Sequence, residues 1–423
     1  MTRAQQELAI FGGPRAVPDR SVHPWPRVTE TDKEAVMRVL DSEVLWGPAA
    51  PEVTALQAQW AAYVGSTYCL ATNSGTAALH MAVAAAGVEP GDEVITTPLS
   101  WTSTATCILH HNAIPIFADI DPVTFNIDPA RIEEKITSRT RAILPVHLYG
   151  LSADMDPILA IARRHGVPVI EDGCQAHAAT YGGRTVGSMG DIGCTSFNGN
   201  KNLPGGEGGA LNTNDERLWQ EAARVQQFGE RRRVDGEREY DAYGMGWMYR
   251  TTEMTAALVR SQLTRLGDVT ARMRANAREL NAGLAGLRGL RTPCEPKGRQ
   301  HVYFRYVPRL VPEELGISGP VGDATEKVRK ALQAEGLPLG RAEFVIPGMT
   351  LFQEKRGYGK GCPWTCLYNE PITYRAADYP HAVDAIDTII PIRGLTPPND
   401  GATMALYVRA FEKVFGQLDR VLA

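Results

Sequence analysis

The sequence has no long apolar run, no surplus of either charge and no array of paired cysteines, and each absence removes a class of protein. Over 423 residues, 44 lysines and arginines face 48 aspartates and glutamates, a net charge of −4. No overall field therefore draws the chain to nucleic acid or to an anionic membrane. The longest mostly apolar stretch, Ala77 to Val88, is too short to span a bilayer. The opening residues, Met1-Thr2-Arg3-Ala4-Gln5-Gln6-Glu7, lack the basic and then apolar pattern of a secretory signal. These features lead us to expect a soluble, cytoplasmic protein whose partner is a small molecule. The seven cysteines, at positions 69, 107, 174, 194, 294, 362 and 366, are odd in number and scattered, unlike a disulfide framework. Cys362 and Cys366 are the only close pair, with no second pair or neighbouring histidines to complete a zinc site. Internal repeats and low-complexity tails are also missing.

What is present is a series of short β-rich runs separated by helical stretches: "YCLAT" (68–72), "EVITT" (93–97), "IPIFAD" (114–119), "RAILPV" (141–146), "VPVIED" (167–172), "IGCTSF" (192–197) and "GALNT" (209–213). Their apolarity is continuous rather than alternating, as in strands covered on both faces. Spacing wide enough for crossover helices predicts a largely parallel sheet of seven strands. The last two runs lie closer together, which points to an antiparallel member, since parallel neighbours need longer crossovers. From about Thr251 the texture turns helical, then looser. We expect a large domain over 1–264, with its N-terminal segment, and a smaller C-terminal α/β domain over 265–423. "PNDGATMALYVRAFEKVFGQLDRVL" reads as an amphipathic closing helix behind an Asn or Asp cap.

Ligands of open α/β sheets bind beyond the carboxyl ends of the strands, so the residues that follow each run matter most. After the first come Ser74, Gly75 and Thr76 opening a helix; amides and hydroxyls there suit a phosphate, though an ordinary helix cap uses the same residues. Trp101 follows the second run and can stack on an aromatic cofactor or simply fill core. Asp172 ends the fifth, with Gln175 and His177 behind it. Such a carboxylate can keep a pyridine nitrogen protonated, or cap the next helix. Ser196 ends the sixth run and Lys201 follows in "SFNGNKNLPGGEGG", where an amine can form a Schiff base. Phosphate cradle, stacking ring, pyridinium partner and amine together are what pyridoxal 5′-phosphate requires.

On these motifs, with "PWPRVTETDKEAVMRVLDSE" (24–43) and "YRTTEMTAALVRSQL" (249–263), the chain resembles the DegT/DnrJ/EryC1/StrS family of fold type I aminotransferases acting on sugars and cyclitols. The resemblance implies that Lys201 carries the cofactor as a Schiff base and moves protons, and that Asp172 pairs with the pyridine nitrogen. It also implies that Gln175 meets the ring's phenolic oxygen, that Ser74, Gly75, Thr76 and Ser196 hold the phosphate, and that Trp101 stacks on the ring. L-glutamate or L-glutamine would then donate an amino group, pyridoxamine 5′-phosphate would arise in the half-reaction, and a keto-sugar or keto-cyclitol would accept. A homodimer is implied as well. One departure is "GWMYR" (246–250), where the family often places an asparagine that reaches the neighbouring subunit's phosphate; Met248 has no donor for that contact. The arginines at 231, 232, 233 and 238 can meet a nucleotide diphosphate or form a solvated loop, and "GKGCPWTCLYNEP" (359–371) can be a substrate-side loop or a packed turn. Among rival readings, a dehydratase of the same fold would carry histidine at Lys201. A silent cofactor-binding regulator has no use for Lys201, Asp172 and Gln175 together. A nicotinamide oxidoreductase needs a Gly-x-Gly-x-x-Gly turn where "NSGTAA" stands.

Overall fold

A computed structural model describes residues 7–47, 50–232, 238–317, 319–341, 344–368 and 370–423. The seven predicted runs form strands β1 (Tyr68–Thr72), β2 (Glu93–Thr96), β3 (Ile114–Phe117), β4 (Thr140–Leu144), β5 (Ile170–Asp172), β6 (Ile192–Ser196) and β7 (Gly209–Thr213). Two hydrogen-bonded groups, β1-β7-β6-β5 and β3-β2-β4, are joined by parallel bridges Ile143↔Val169 and Val146↔Asp172. One sheet of order 1-7-6-5-4-2-3 results. β7 runs against both its neighbours, with Leu211 opposite Leu70 and Cys194. The loop from β6 to β7, residues 197–208, is too short for a helical crossover, so only an antiparallel return fits. The fold is that of a mostly parallel, doubly covered α/β sheet.

Three crossover helices place the site: α1 (Gly75–Ala85), α2 (Ser103–His110) and α3 (Met155–His165). The first is apolar on every face and buried along nearly its whole length, as a helix enclosed by its domain must be. It shares a core with Leu70, Ile170, Ile192 and Leu211 of the sheet. Beyond α4 (Glu253–Leu263), a second core gathers α5 (Leu266–Leu284), α6 (Val321–Ala334) and α7 (Gly401–Phe415) around Leu280, Leu332, Tyr407 and Phe411. The expected cap of the closing helix is Asp400, whose Oδ1 accepts from the amides of Ala402 (3.0 Å) and Thr403 (3.3 Å). Leu8 and Val17 are buried in this second core. The amides of Ala9 and Ala16 donate to the Glu335 carboxylate at 2.7 and 2.9 Å, and Lys413 Nζ pairs with it at 2.9 Å.

The cysteine reading needs one correction: Cys362 and Cys366 form a disulfide. A tight turn brings their Cα atoms to 5.3 Å, within the usual range for such a bond, and a spacing of four residues does not reveal that turn. The other five cysteines are free thiols. Residues 359–368 and 370–371 form the packed-turn alternative rather than a loop at the strand ends. Trp364 is buried and donates Nε1–H to the Tyr374 hydroxyl at 3.0 Å. Tyr368 donates to Glu93, the first residue of β2, at 2.7 Å, which is the opposite end of the sheet from the ligand-binding edge. Of the arginine run, Arg233 lies outside the described residues, and Arg231 stacks on Tyr243, 3.9 Å from its ring centre. Among the described residues no helix is long and apolar enough to cross a membrane.

Candidate active site

Eight of the residues singled out by position after a strand line one cavity of about 310 Å³, namely Ser74, Gly75, Thr76, Trp101, Asp172, Gln175, Ser196 and Lys201, whereas His177 is not in its lining and bonds the Ser196 carbonyl instead. That volume is at the lower end of ordinary small-molecule sites. A larger groove of about 1300 Å³ opens near Val169 and Asp191, at the amino ends of β5 and β6; it holds none of these residues and lies away from the edge where such sheets bind ligands.

Asp172 is buried at the end of β5. Its Oδ2 accepts from the Thr104 hydroxyl at 2.8 Å and its Oδ1 from the Cys174 amide at 3.1 Å. Both bonds fix the direction of the carboxylate. Cys174 beside it is held as a thiol, because burial, and then the Asp172 charge, push its pKa well above the ordinary value. Gln175 is likewise buried, and its Oε1 accepts from the Tyr149 amide at 2.9 Å, which leaves the amide nitrogen as the end that can donate.

The cradle at the start of α1 is equally specified. Ser74 caps the helix, its Oγ accepting from the Ala77 amide at 3.1 Å, while the first-turn amides of Gly75 and Thr76 have no intrahelical acceptor. A Cβ on Gly75 would stand 2.7 Å from Ser196 Cβ and 2.9 Å from Cys174 Sγ, so only glycine lets α1 and β6 approach this closely. The Thr76 hydroxyl bonds that of Ser103 at 2.8 Å. Ser196 is positioned from behind by His177, whose Nε2–H donates to the Ser196 carbonyl at 2.7 Å. Burial pushes that imidazole down to about 3, so it stays neutral. Trp101 is 56% exposed and tilts toward Phe344, an open ring face rather than a core residue.

Lys201 Nζ sits 4.4 Å from the centre of the Phe304 ring. Its carbonyl accepts from Trp25 Nε1 at 2.8 Å, tying the lysine loop to the "PWP" segment. Five supporting residues, Trp25, Thr104, Tyr149, Phe304 and Arg305, were not singled out from the sequence. Trp25 lies within the quoted 24–43 stretch and Thr104 three positions after Trp101, whereas nothing in the sequence sets Phe304 or Arg305 in the lysine cavity or Tyr149 between Gln175 and Arg305. Met248 is half exposed and is not among the residues lining the cavity; its carbonyl accepts from Asn73 Nδ2 at 3.2 Å.

Comparison with known proteins gives a consistent picture. Residues 26–336 match the sequence model of the DegT/DnrJ/EryC1/StrS aminotransferase family. The chain is 37% identical over 377 residues to the L-glutamine:2-deoxy-scyllo-inosose aminotransferase of Streptomyces fradiae, covering 84% of this chain and 85% of that one. It is 38% identical over 324 residues to the GDP-perosamine synthase of Caulobacter vibrioides, covering 76% and 85%. The crystal structure of an aminotransferase from Psychrobacter cryohalolentis superposes with a TM-score of 0.81 at 30% identity, over 94% of this chain and all of the other.

Proposed function

The chain belongs to the DegT/DnrJ/EryC1/StrS aminotransferase family, and from that premise we propose that it passes an amino group from L-glutamine or L-glutamate to a keto-cyclitol or keto-sugar. The donor and acceptor classes rest on relatives named for L-glutamine with a scyllo-inosose and for a GDP-linked amino sugar. The observation that carries the reading is the single cavity in which Lys201 faces Asp172, Gln175, Ser196, Trp101 and the start of α1.

These residues fit pyridoxal 5′-phosphate. The Gly75 and Thr76 amides, with Ser74 and Ser196, would hold its phosphate. Trp101 would cover the ring, Gln175 would donate to the ring oxygen, and Asp172 would keep the pyridine nitrogen protonated. Bound there, the group supplies an electron sink that stabilises negative charge at the donor's Cα and stores the amino group. Lys201 Nζ serves first as the covalent tether and then as the base that takes the Cα proton. In the return half-reaction its ammonium delivers a proton to the former carbonyl carbon of the acceptor. Thr104 keeps the Asp172 carboxylate aimed, and Phe304 shields one side of the amine from water.

Incubating the loaded protein with L-glutamine should convert the bound cofactor to its pyridoxamine form, and a keto-cyclitol should restore it with release of an aminocyclitol detectable by mass spectrometry. No conversion by either glutamine or glutamate would defeat the reading. We propose a homodimer in the cytoplasm. Supporting the dimer, Trp46, Phe228, Met245 and Met248 leave apolar side chains exposed, more than isolated surface residues require; sedimentation at twice the chain mass is the expected result. We also propose that the large domain, 1–264, meets the small one, 265–423, at Thr264 and Arg265, which lie between α4 and α5.

A further inference from the structure

Trp101 reaches the lysine cavity from a loop that a distant part of the chain holds in place. Leu99–Ser100 pairs antiparallel with Phe344–Val345, Ser100 opposite Phe344 and Leu99 opposite Val345. The Ile346 amide extends the pairing by donating to the Pro98 carbonyl at 2.8 Å, and the Thr102 hydroxyl reaches Met349 Sδ at 3.6 Å. Side chains alternate along such a pair. Leu99 and Val345 pack into one core, so their neighbours Ser100 and Phe344 share the opposite face, from which Ser100 lines the lysine cavity.

Two candidate cofactor contacts depend on this ladder. The Ser100 and Thr104 hydroxyls are both buried and lie 2.9 Å apart. Thr104 spends its one proton on Asp172 Oδ2, so Ser100 donates to Thr104, and a chain of hydroxyls runs from the paired strand to Asp172. Trp101 meets Phe344 with ring centres 5.9 Å apart and planes at 52°, a separation at which aromatic pairs attract. Among the described residues no other ring contacts the half-exposed indole. Phe344 is itself met by Arg341, whose Cζ lies 5.5 Å from its ring centre, a cation–π distance.

We propose that Phe344 is a positioning residue: its ring sets the angle at which Trp101 meets the cofactor ring, while the ladder that carries it keeps Trp101 in register with the chain from Ser100 through Thr104 to Asp172. This rests on the reading of the cavity as a pyridoxal phosphate site. Phe344 is not in the cavity lining, so it acts through Trp101 and not by touching the cofactor. An indole free to swing would cover a bound ring in many orientations. One pinned by a second ring has lost that freedom before the cofactor arrives.

The probe is pyridoxamine 5′-phosphate, which forms no imine with Lys201 and so reads the non-covalent hold alone, titrated calorimetrically into protein stripped of cofactor. Phe344→Leu, which keeps apolar bulk and removes the ring, should weaken binding by about three- to tenfold. It should also reduce the visible circular dichroism of bound pyridoxal 5′-phosphate, a signal set by the orientation of that ring in the site. Phe344→Tyr should leave both near wild type. In a Trp101→Leu background Phe344→Leu should add less than about twofold, since the residue through which it acts is gone. Unchanged affinity and dichroism in Phe344→Leu overturn the proposal, and so does a full further loss on top of Trp101→Leu. Thermal unfolding separates a lost contact from a lost fold, and Phe344→Met decides by the same measurements if Phe344→Leu does not fold. Wild-type protein that binds neither form of the cofactor overturns the cofactor reading and the proposal with it, whereas wild-type binding beside an inert Phe344→Leu overturns the proposal alone.

Discussion

At the scale of single residues, the candidate site separates covalent chemistry from non-covalent hold. Lys201 alone can supply a tether and a mobile proton, so Lys201→Ala should abolish multiple turnover while the cavity still binds pyridoxamine phosphate. Borohydride reduction of wild-type protein followed by peptide mass mapping should put the pyridoxyl mass on Lys201; its appearance on any other lysine would remove that role. Asp172 does different work, through charge. Asp172→Asn should retain cofactor but lose more than about tenfold in kcat/KM, equivalent to about 1.4 kcal/mol of transition-state stabilisation. Thr104→Val keeps the charge and removes only the 2.8 Å bond that aims it, so its loss in kcat/KM should be smaller, under about tenfold. Equal activity of Asp172→Asn and wild type would make the aspartate a holder of the turn at Cys174 and nothing more.

At the scale of elements, the sheet was legible because its strands are buried on both faces and announce themselves as continuous apolar runs. The predicted bounds of β1 and β7 match those observed, and the close spacing of β6 and β7 anticipated the antiparallel return. Boundaries slipped where proline intervenes: "VPVIED" loses its first residues to β5 because Pro168 cannot donate to a ladder. Residues that follow the strands were legible for the same topological reason, and all eight meet in one cavity. The wall built by Phe304 and Arg305 was not. It depends on pairings such as Tyr306 with Ile392, where two-residue strands leave no periodicity to read and the register is set by packing on a distant core. The packing of Leu8 and Val17 against that core is hidden for the same reason. One element makes a sharp prediction. Because a Cβ at position 75 would press on Ser196 and Cys174, Gly75→Ala must push α1 from β6. We expect a loss of about 1–3 kcal/mol in urea unfolding together with weaker binding of pyridoxal phosphate. Retention of both would mean that the cradle has slack that the close approach denies.

At the scale of the whole molecule, three buried imidazoles tie separate parts of the fold together and set its response to acid. His80, on α1, meets the Tyr249 hydroxyl at 3.0 Å; His177 donates to the Ser196 carbonyl; His301 accepts the Tyr303 amide at 2.9 Å and stacks on its ring. Burial is the largest cause in each, and it pushes all three from 6.5 down to about 3. In the unfolded chain they return to 6.5, so between those values the unfolded state binds protons that the native state refuses. Stability therefore rises with pH across this window: their full contribution is present above 6.5 and is lost as pH falls toward 3. Buried carboxylates act in the same direction but lower down. Burial alone would raise Asp32 and Glu171, yet hydrogen bonds from Arg265 and His147 among others hold both below their ordinary 3.8 and 4.5, so their loss begins only as those values are approached. The upper part of the window, from about pH 6.5 to about pH 5, thus belongs to the histidines. Urea midpoints should be level at about pH 7.5 and decline by about pH 5.5, with the slope reduced in His301→Gln, which has no proton to refuse. That variant should be less stable than wild type at neutral pH, having lost the stacking on Tyr303, while the gap narrows as acid is added. A slope identical to wild type across the same range would mean that His301 is not held neutral in the fold.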